Sequence, residues 1–151
     1  MAVQPNDPLF SDQWYLLNTG QDGRTRGIDL NLLEVWDDYT GAGVAIAIMD
    51  DGVERDLNGN YENNPEGLPD YNYNREGAPL FAEDNHGTSV AGIIAAENNT
   101  VGIVGIAYDA TITGFSYFNI TPNDASTLIR QADFDVSNNS WGVDNPFQAN
   151  F

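Results

Sequence analysis

The chain has 151 residues, enough for one domain, and sets 23 acidic side chains against five arginines and no lysine, for a formal net charge of −18. That balance argues against nucleic acid or an anionic membrane as a partner, since either calls for a basic patch, and it suits calcium or a cationic substrate. There is no cysteine, so neither disulfides nor thiol chemistry enter, and no apolar run reaches the roughly 18 residues that a membrane-spanning helix needs.

Taken in order, Met1-Ala2-Val3-Gln4-Pro5 has neither the charged region nor the apolar core of a secretion signal. Residues 5–19 read as an extended polar-aromatic arm, with Trp14 and Tyr15 packing it onto the body. Asn31 is placed to cap a short helix, Leu32-Leu33-Glu34-Val35-Trp36, that stops near Gly41. The run Val44-Ala45-Ile46-Ala47-Ile48-Met49 is continuously apolar and ends abruptly in Asp50-Asp51-Gly52. Such a run predicts a central strand of a parallel sheet, buried on both faces, with catalytic or ligand-binding groups at its carboxyl end. Residues 53–85 are crowded with Asp, Asn, Gly and Pro and read as loop.

The only histidine, His86, stands where this loop gives way to a helix predicted to run to about Asn98. Glu83-Asp84-Asn85 suits the approach to a helix N-terminus, where backbone N–H groups lack partners. Gly87, Ser89, Ala91, Gly92 and Ala95 are small enough to let that helix pack closely on what lies beneath it. Ala110-Thr111-Ile112-Thr113-Gly114-Phe115 predicts a second strand, Thr121-Pro122-Asn123-Asp124 opens a further helix, and Val136-Ser137-Asn138-Asn139-Ser140 is a short last strand leading into Trp141-Gly142. Strands alternating with helices predict an α/β fold with a mainly parallel sheet. A lone histidine is more often structural or solvated than catalytic. An acid closing a buried strand beside it changes the balance, because the two then form an Asp–His couple with the imidazole as general base.

The stretches Ala47-Ile48-Met49-Asp50-Asp51-Gly52 and His86-Gly87-Thr88-Ser89-Val90-Ala91-Gly92 resemble the aspartate and histidine motifs of subtilisin-like serine proteases. The doubled acid before glycine resembles the kexin/furin branch. The resemblance runs from about Asn6 to Gly142, nearly the whole chain. It implies a three-layer subtilisin-like α/β fold, with residues 1–151 as the N-terminal portion of the catalytic domain, and calcium-dependent endopeptidase chemistry through an Asp-His-Ser triad. By that resemblance Asp50 is the catalytic acid and His86 the base. Asp51 and Asp84 line a subsite that favours basic residues, and Ser140, Trp141 and Gly142 pair with the substrate backbone and wall the S1 pocket. The nucleophile and the oxyanion-hole asparagine are expected after Gly142, and the chain holds neither. Alone it is expected to be inactive, with two partners implied: a peptide or protein substrate, and a C-terminal remainder carrying the serine.

Within the resemblance, Val143-Asp144-Asn145-Pro146 keeps one acid where the furin branch has a cluster, which leaves the P1 preference open. Gly114-Phe115-Ser116-Tyr117 reads either as the opposite wall of the substrate channel or as a core strand. Gly87-Thr88-Ser89-Val90-Ala91 imitates the family's nucleophile motif. His86 precedes it directly, however, and one helix turn cannot turn base and nucleophile toward a common substrate, so Ser89 reads as a packing residue.

Glu97-Asn98-Asn99-Thr100-Val101-Gly102-Ile103 resembles the family's calcium loop. The resemblance assigns a side-chain oxygen to Asn99, backbone carbonyls to Glu97, Val101 and Ile103, and the remaining ligands to Asp56 and Asp7. A Ca²⁺ ion takes about 6–8 oxygens and would clamp three distant segments together. A second site is conceivable among Asp70, Asn72, Asn74 and Glu76. Asp56-Leu57-Asn58-Gly59-Asn60 starts like an EF-hand, but Tyr61 and Gly67 stand where that loop needs Gly and Glu. A secreted or periplasmic location is expected. The alternative function is a non-catalytic, calcium-stabilised fragment that docks with a C-terminal partner.

Overall fold

Three parallel strands carry the architecture. In a computed structural model that describes residues 4–53, 86–116 and 130–140, strand β1 is Ala45–Asp50, helix α1 is His86–Ala95, β2 is Thr111–Ser116 and β3 is Val136–Asn139. The sheet order is β2-β1-β3, and both pairings to β1 are parallel. Parallel neighbours need a crossover, and α1 supplies the one between β1 and β2. Short 3₁₀ turns at Phe10–Asp12, Gln21–Gly23, Val35–Asp37 and Arg130–Asp133 complete the described elements.

Because side chains alternate along a strand, β1 divides its residues between two cores. Ile46 and Ile48 face α1 and join Val53, Ala91, Ala95, Ala110 and Ile112. Ala47 and Met49 face the other way, onto Phe115 and Phe134. Asp50 continues the Ile46–Ile48 parity, which aims its carboxylate at the start of α1. A third cluster of Phe10, Leu16, Trp36 and Val104 ties the N-terminal segment to the loop after α1.

Several sequence expectations are corrected. The arm is not extended: it folds through the Phe10–Asp12 turn and buries Phe10 and Leu16, while Trp14 stays exposed with its ring edge-on to Tyr15 and the Arg24 guanidinium 4.3 Å above it. The helix expected at Leu32–Trp36 is only a 3₁₀ turn, Val35–Asp37. Asn31 does not cap it, having left-handed backbone at φ +55°. Five residues cannot repay helix nucleation, and Trp36 is instead fixed by burial and by its indole N–H donating to the Ile106 carbonyl at 2.8 Å.

Helix α1 ends at Ala95 rather than near Asn98. The returning segment takes up its last carbonyls: Ile106 N–H donates to Ile93 O, Ala107 N–H to Ile94 O and Gly105 N–H to Ala96 O. That approach needs glycine at 105, where a Cβ would lie 2.4 Å from the Ala96 nitrogen. Ser89 is exposed on α1, so it is not a packing residue, whereas Gly87, Ala91, Gly92 and Ala95 are buried. The helix expected from Thr121 and most of the 53–85 loop lie outside the described residues.

Candidate active site

The carboxyl end of β1 and the first turn of α1 build the site. His86 Nδ1 lies 2.7 Å from Asp50 Oδ1, and the Asp51 N–H donates to that same oxygen at 2.8 Å. Asp50 is 3% exposed while the His86 side chain is 61% exposed. A buried acid therefore holds one ring nitrogen, and the rest of the imidazole faces solvent. The hydrogen bond and the negative charge of Asp50 raise the imidazole pKa above its ordinary value, with a smaller contribution from the Asp51 charge.

Asp51 meets the helix rather than the ring. Its Oδ2 accepts from the His86 N–H at 3.0 Å and its Oδ1 from the Gly87 N–H at 2.6 Å. These amides are among the donors that a helix start leaves without partners. Burial pushes the Asp51 carboxyl pKa up, against the lowering effect of the two amides, and the neighbouring Asp50 charge adds to the rise. Gly52, at φ +121°, turns the chain away directly afterwards. Gly87 lets the helix land here, since a Cβ on it would sit 2.2 Å from the Gly52 carbonyl oxygen. From the sequence alone Gly87 is no more than a small packing residue. The signal for its stricter role was its place directly after the histidine.

Asp50 Oδ2 and Ser116 Oγ are buried without a hydrogen-bond partner, and the two residues are register partners across β1 and β2. Ile112 and Phe115 of β2 lie in the two sheet cores. Tyr117 is outside the described residues, so only the core half of the two readings for that strand is visible. At the far side of the sheet, Ser140 follows β3 with its hydroxyl accepting from Asn138 Nδ2 at 2.8 Å. Asp84, Trp141 and Gly142 lie outside the described residues.

Away from this pair, the loop after α1 meets the arm. Asp7 is 4% exposed, and its Oδ1 accepts from the Asn99 and Thr100 N–H groups, each at 3.0 Å. Its Oδ2 is buried with no partner. Asn99 Oδ1 accepts from the Val101 N–H at 3.0 Å, and Leu9 N–H donates to Gly102 O at 2.9 Å. Asp7, Glu97, Asn99, Val101 and Ile103 are thus gathered on two adjoining segments, while Asp56, Asp70, Asn72, Asn74 and Glu76 lie outside the described residues. Among the described residues no group of three or more His, Cys, Asp or Glu side chains is arranged to hold a metal ion. Any cation here would rest largely on carbonyl and amide oxygens, the donor set that calcium accepts.

At the carboxyl edge of a parallel α/β sheet, a buried acid and an exposed imidazole thus stand within hydrogen-bond distance, an arrangement able to take up and return a proton. The chain belongs to the subtilase family, whose model matches residues 41–149. Human neuroendocrine convertase 2 is 40% identical over 154 residues, covering 93% of this chain and 24% of that protein. The PC3-like endoprotease variant B of Hydra vulgaris is 39% identical over 148 residues, covering 91% of this chain and 21% of the relative. Among solved structures, the serine protease of Aeromonas sobria superposes with a TM-score of 0.70 at 33% identity, over 95% of this chain and 27% of that one. The Aeromonas sobria protease solved in complex with its chaperone gives 0.68 at 31% identity, over 96% and 27%. The chain therefore spans about a quarter of the length of these relatives. The subtilisin-like α/β fold and the kexin/furin-like kinship expected from the sequence are both borne out.

Proposed function

We propose that this chain supplies the acid–base half of a calcium-dependent serine endopeptidase, working with a serine and an oxyanion donor contributed by a partner segment. The observation that carries the reading is the 2.7 Å contact between buried Asp50 and exposed His86. Asp50 holds the proton on Nδ1, so Nε2 is left as the basic lone pair. His86 takes the serine proton as the hydroxyl attacks the peptide carbonyl, then gives that proton to the leaving amine. Asp50 stabilises the imidazolium between the two steps. Without the partner segment the chain has a base and no nucleophile, and is inactive.

Because Asp50 raises the imidazole pKa, the neutral base appears only above the ordinary value of about 6.5, and the acid limb of kcat/KM lies on the alkaline side of that value. Asp51 and Asp84 bias the site toward basic peptides, with Ser140, Trp141 and Gly142 pairing to the substrate backbone. The calcium reading draws support from the partnerless buried Oδ2 of Asp7. Asp7, Asn99 and the Glu97, Val101 and Ile103 carbonyls would hold the ion together with Asp56, and the ion would fix the arm to the α1 loop. A secreted or periplasmic setting supplies calcium at the level such modules use.

The test is His86→Ala in the full-length gene product. Peptide hydrolysis should fall by about 10⁶ while folding and calcium binding persist, the loss expected when a subtilisin-type triad is broken. Surviving hydrolysis would remove His86 from the chemistry. A parent protein that binds calcium yet cleaves no peptide would favour the docking fragment instead.

A further inference from the structure

We propose that Asp51 is a positioning residue for His86, its carboxylate fixing the backbone of the base while Asp50 fixes the ring. The inference rests on the protease reading above and goes beyond the subsite role expected for Asp51. Consecutive residues at the end of β1 grip one histidine at two places. Asp50 Oδ1 is 2.7 Å from the ring nitrogen, and Asp51 Oδ2 is 3.0 Å from the same residue's amide. The second oxygen of Asp51 takes the next amide, that of Gly87, at 2.6 Å. Both carboxylate oxygens are thus committed to the first turn of α1.

His86 depends on that hold. It is the first residue of α1 and its side chain is mostly exposed, so packing does little to place the ring. What orients an exposed imidazole is where its backbone sits and where its hydrogen bond to Asp50 points. Charge-assisted hydrogen bonds to two amides at the positive end of a helix are suited to holding that backbone. The Asp51 N–H also donates to Asp50 Oδ1, so this one residue braces the acid as well as the base. A displacement of about 1 Å in such a group costs on the order of 10²-fold in rate.

The experiment uses the full-length protein and compares Asp51→Asn, Asp51→Glu and His86→Ala, with far-UV circular dichroism and the melting curve reporting the fold. The amide keeps one acceptor oxygen and loses the charge; the longer acid keeps the charge but cannot place both oxygens as found. Positioning predicts that kcat falls by roughly 10–100-fold in both variants, for peptides with a basic or a neutral residue beside the scissile bond alike, with KM for the neutral peptides little changed. It also predicts that the imidazole resonance lost in His86→Ala titrates at lower pH in Asp51→Asn. Among the described residues the ionisable groups acting on that ring are Asp50 and Asp51, and one anion would be gone. A purely subsite role predicts the opposite split: full kcat on neutral peptides, a raised KM for basic ones, and rescue by Asp51→Glu. Full kcat in either folded variant overturns the proposal while His86→Ala remains inactive. If His86→Ala cleaves like the parent, the protease reading itself has failed. Should Asp51→Asn not fold, the longer acid alone decides between the two roles.

Discussion

A Cβ placed on Gly87 would stand 2.2 Å from the Gly52 carbonyl oxygen and 2.8 Å from both the Asp50 Cβ and Asp51 Oδ1. The Gly52 oxygen belongs to the backbone and the Asp50 Cβ is fixed at the end of β1, so alanine at 87 has to lift the start of α1 away from the acids. The contacts it stretches are the ring hydrogen bond of His86 and the two amide bonds of Asp51. Gly87→Ala should therefore cost about 1–3 kcal/mol or somewhat more, as overpacking does. It should lower Tm by several degrees and reduce kcat on the order of 10²-fold. A variant with the parental melting curve and turnover would show that the helix does not approach so closely. The pair it protects has its own pH dependence. The folded-state pKa of His86 is raised, so the stability contributed by its bond to Asp50 is complete below about pH 6.5 and is lost as pH rises through the folded value. With the ring 61% exposed, solvent screening keeps that contribution small. The pairing of Asp50 with His86 was legible in the sequence because an acid closes a buried strand and the lone histidine opens the following helix, within two motifs that resemble those of subtilisin-like proteases. The grip of Asp51 on the helix was not, since it depends on where the chain turns after Gly52.

At the scale of elements, the boundaries that the sequence misplaced are those set by tertiary contacts. Nothing in Ala96-Glu97-Asn98 forbids another helical turn. Gly105, Ile106 and Ala107 end α1 by taking the carbonyls at its end from nine to thirteen positions further along the chain. The N-terminal arm likewise reads as polar and extended until Gln13 is seen. That side chain is buried 4% exposed, with Nε2 donating to Val104 O at 2.8 Å and Oε1 accepting from Val104 N–H at 2.9 Å. An amide paired to both backbone groups of one residue pins the arm to the α1 loop, and Asp7 does the same one turn earlier. The difference is that Gln13 is satisfied and Asp7 Oδ2 is not. An unpaired buried carboxylate oxygen costs several kcal/mol unless a cation meets it. Chelation of the full-length protein should therefore lower Tm, by an amount that grows with the logarithm of the ratio of free calcium to its Kd. Asp7→Asn should remove most of that sensitivity. A melting curve indifferent to excess chelator would dismiss the ion, and the arm would then be held by its amide contacts alone.

For the whole molecule the governing quantity is charge. With −18 on 151 residues, the chain repels itself and draws cations toward it over distances set by the Debye length, about 8 Å at physiological ionic strength. No helix among the described residues is long and apolar enough to cross a membrane, and the acidic surface repels the anionic headgroups that would hold the chain against one. On the proposed reading, a basic peptide would be drawn in by this charge before it meets any subsite. Long-range attraction and local recognition respond differently to salt. If the overall field guides substrate in, kcat/KM for a doubly basic peptide should fall several-fold or more between low and half-molar salt through slower encounter. A neutral peptide of the same length should change little, and kcat at saturation should change little for either. Equal salt dependence for the two peptides would place any basic preference in the subsite carboxylates alone, because contacts at hydrogen-bond distance in a partly buried site are screened far less than a field spread over the surface.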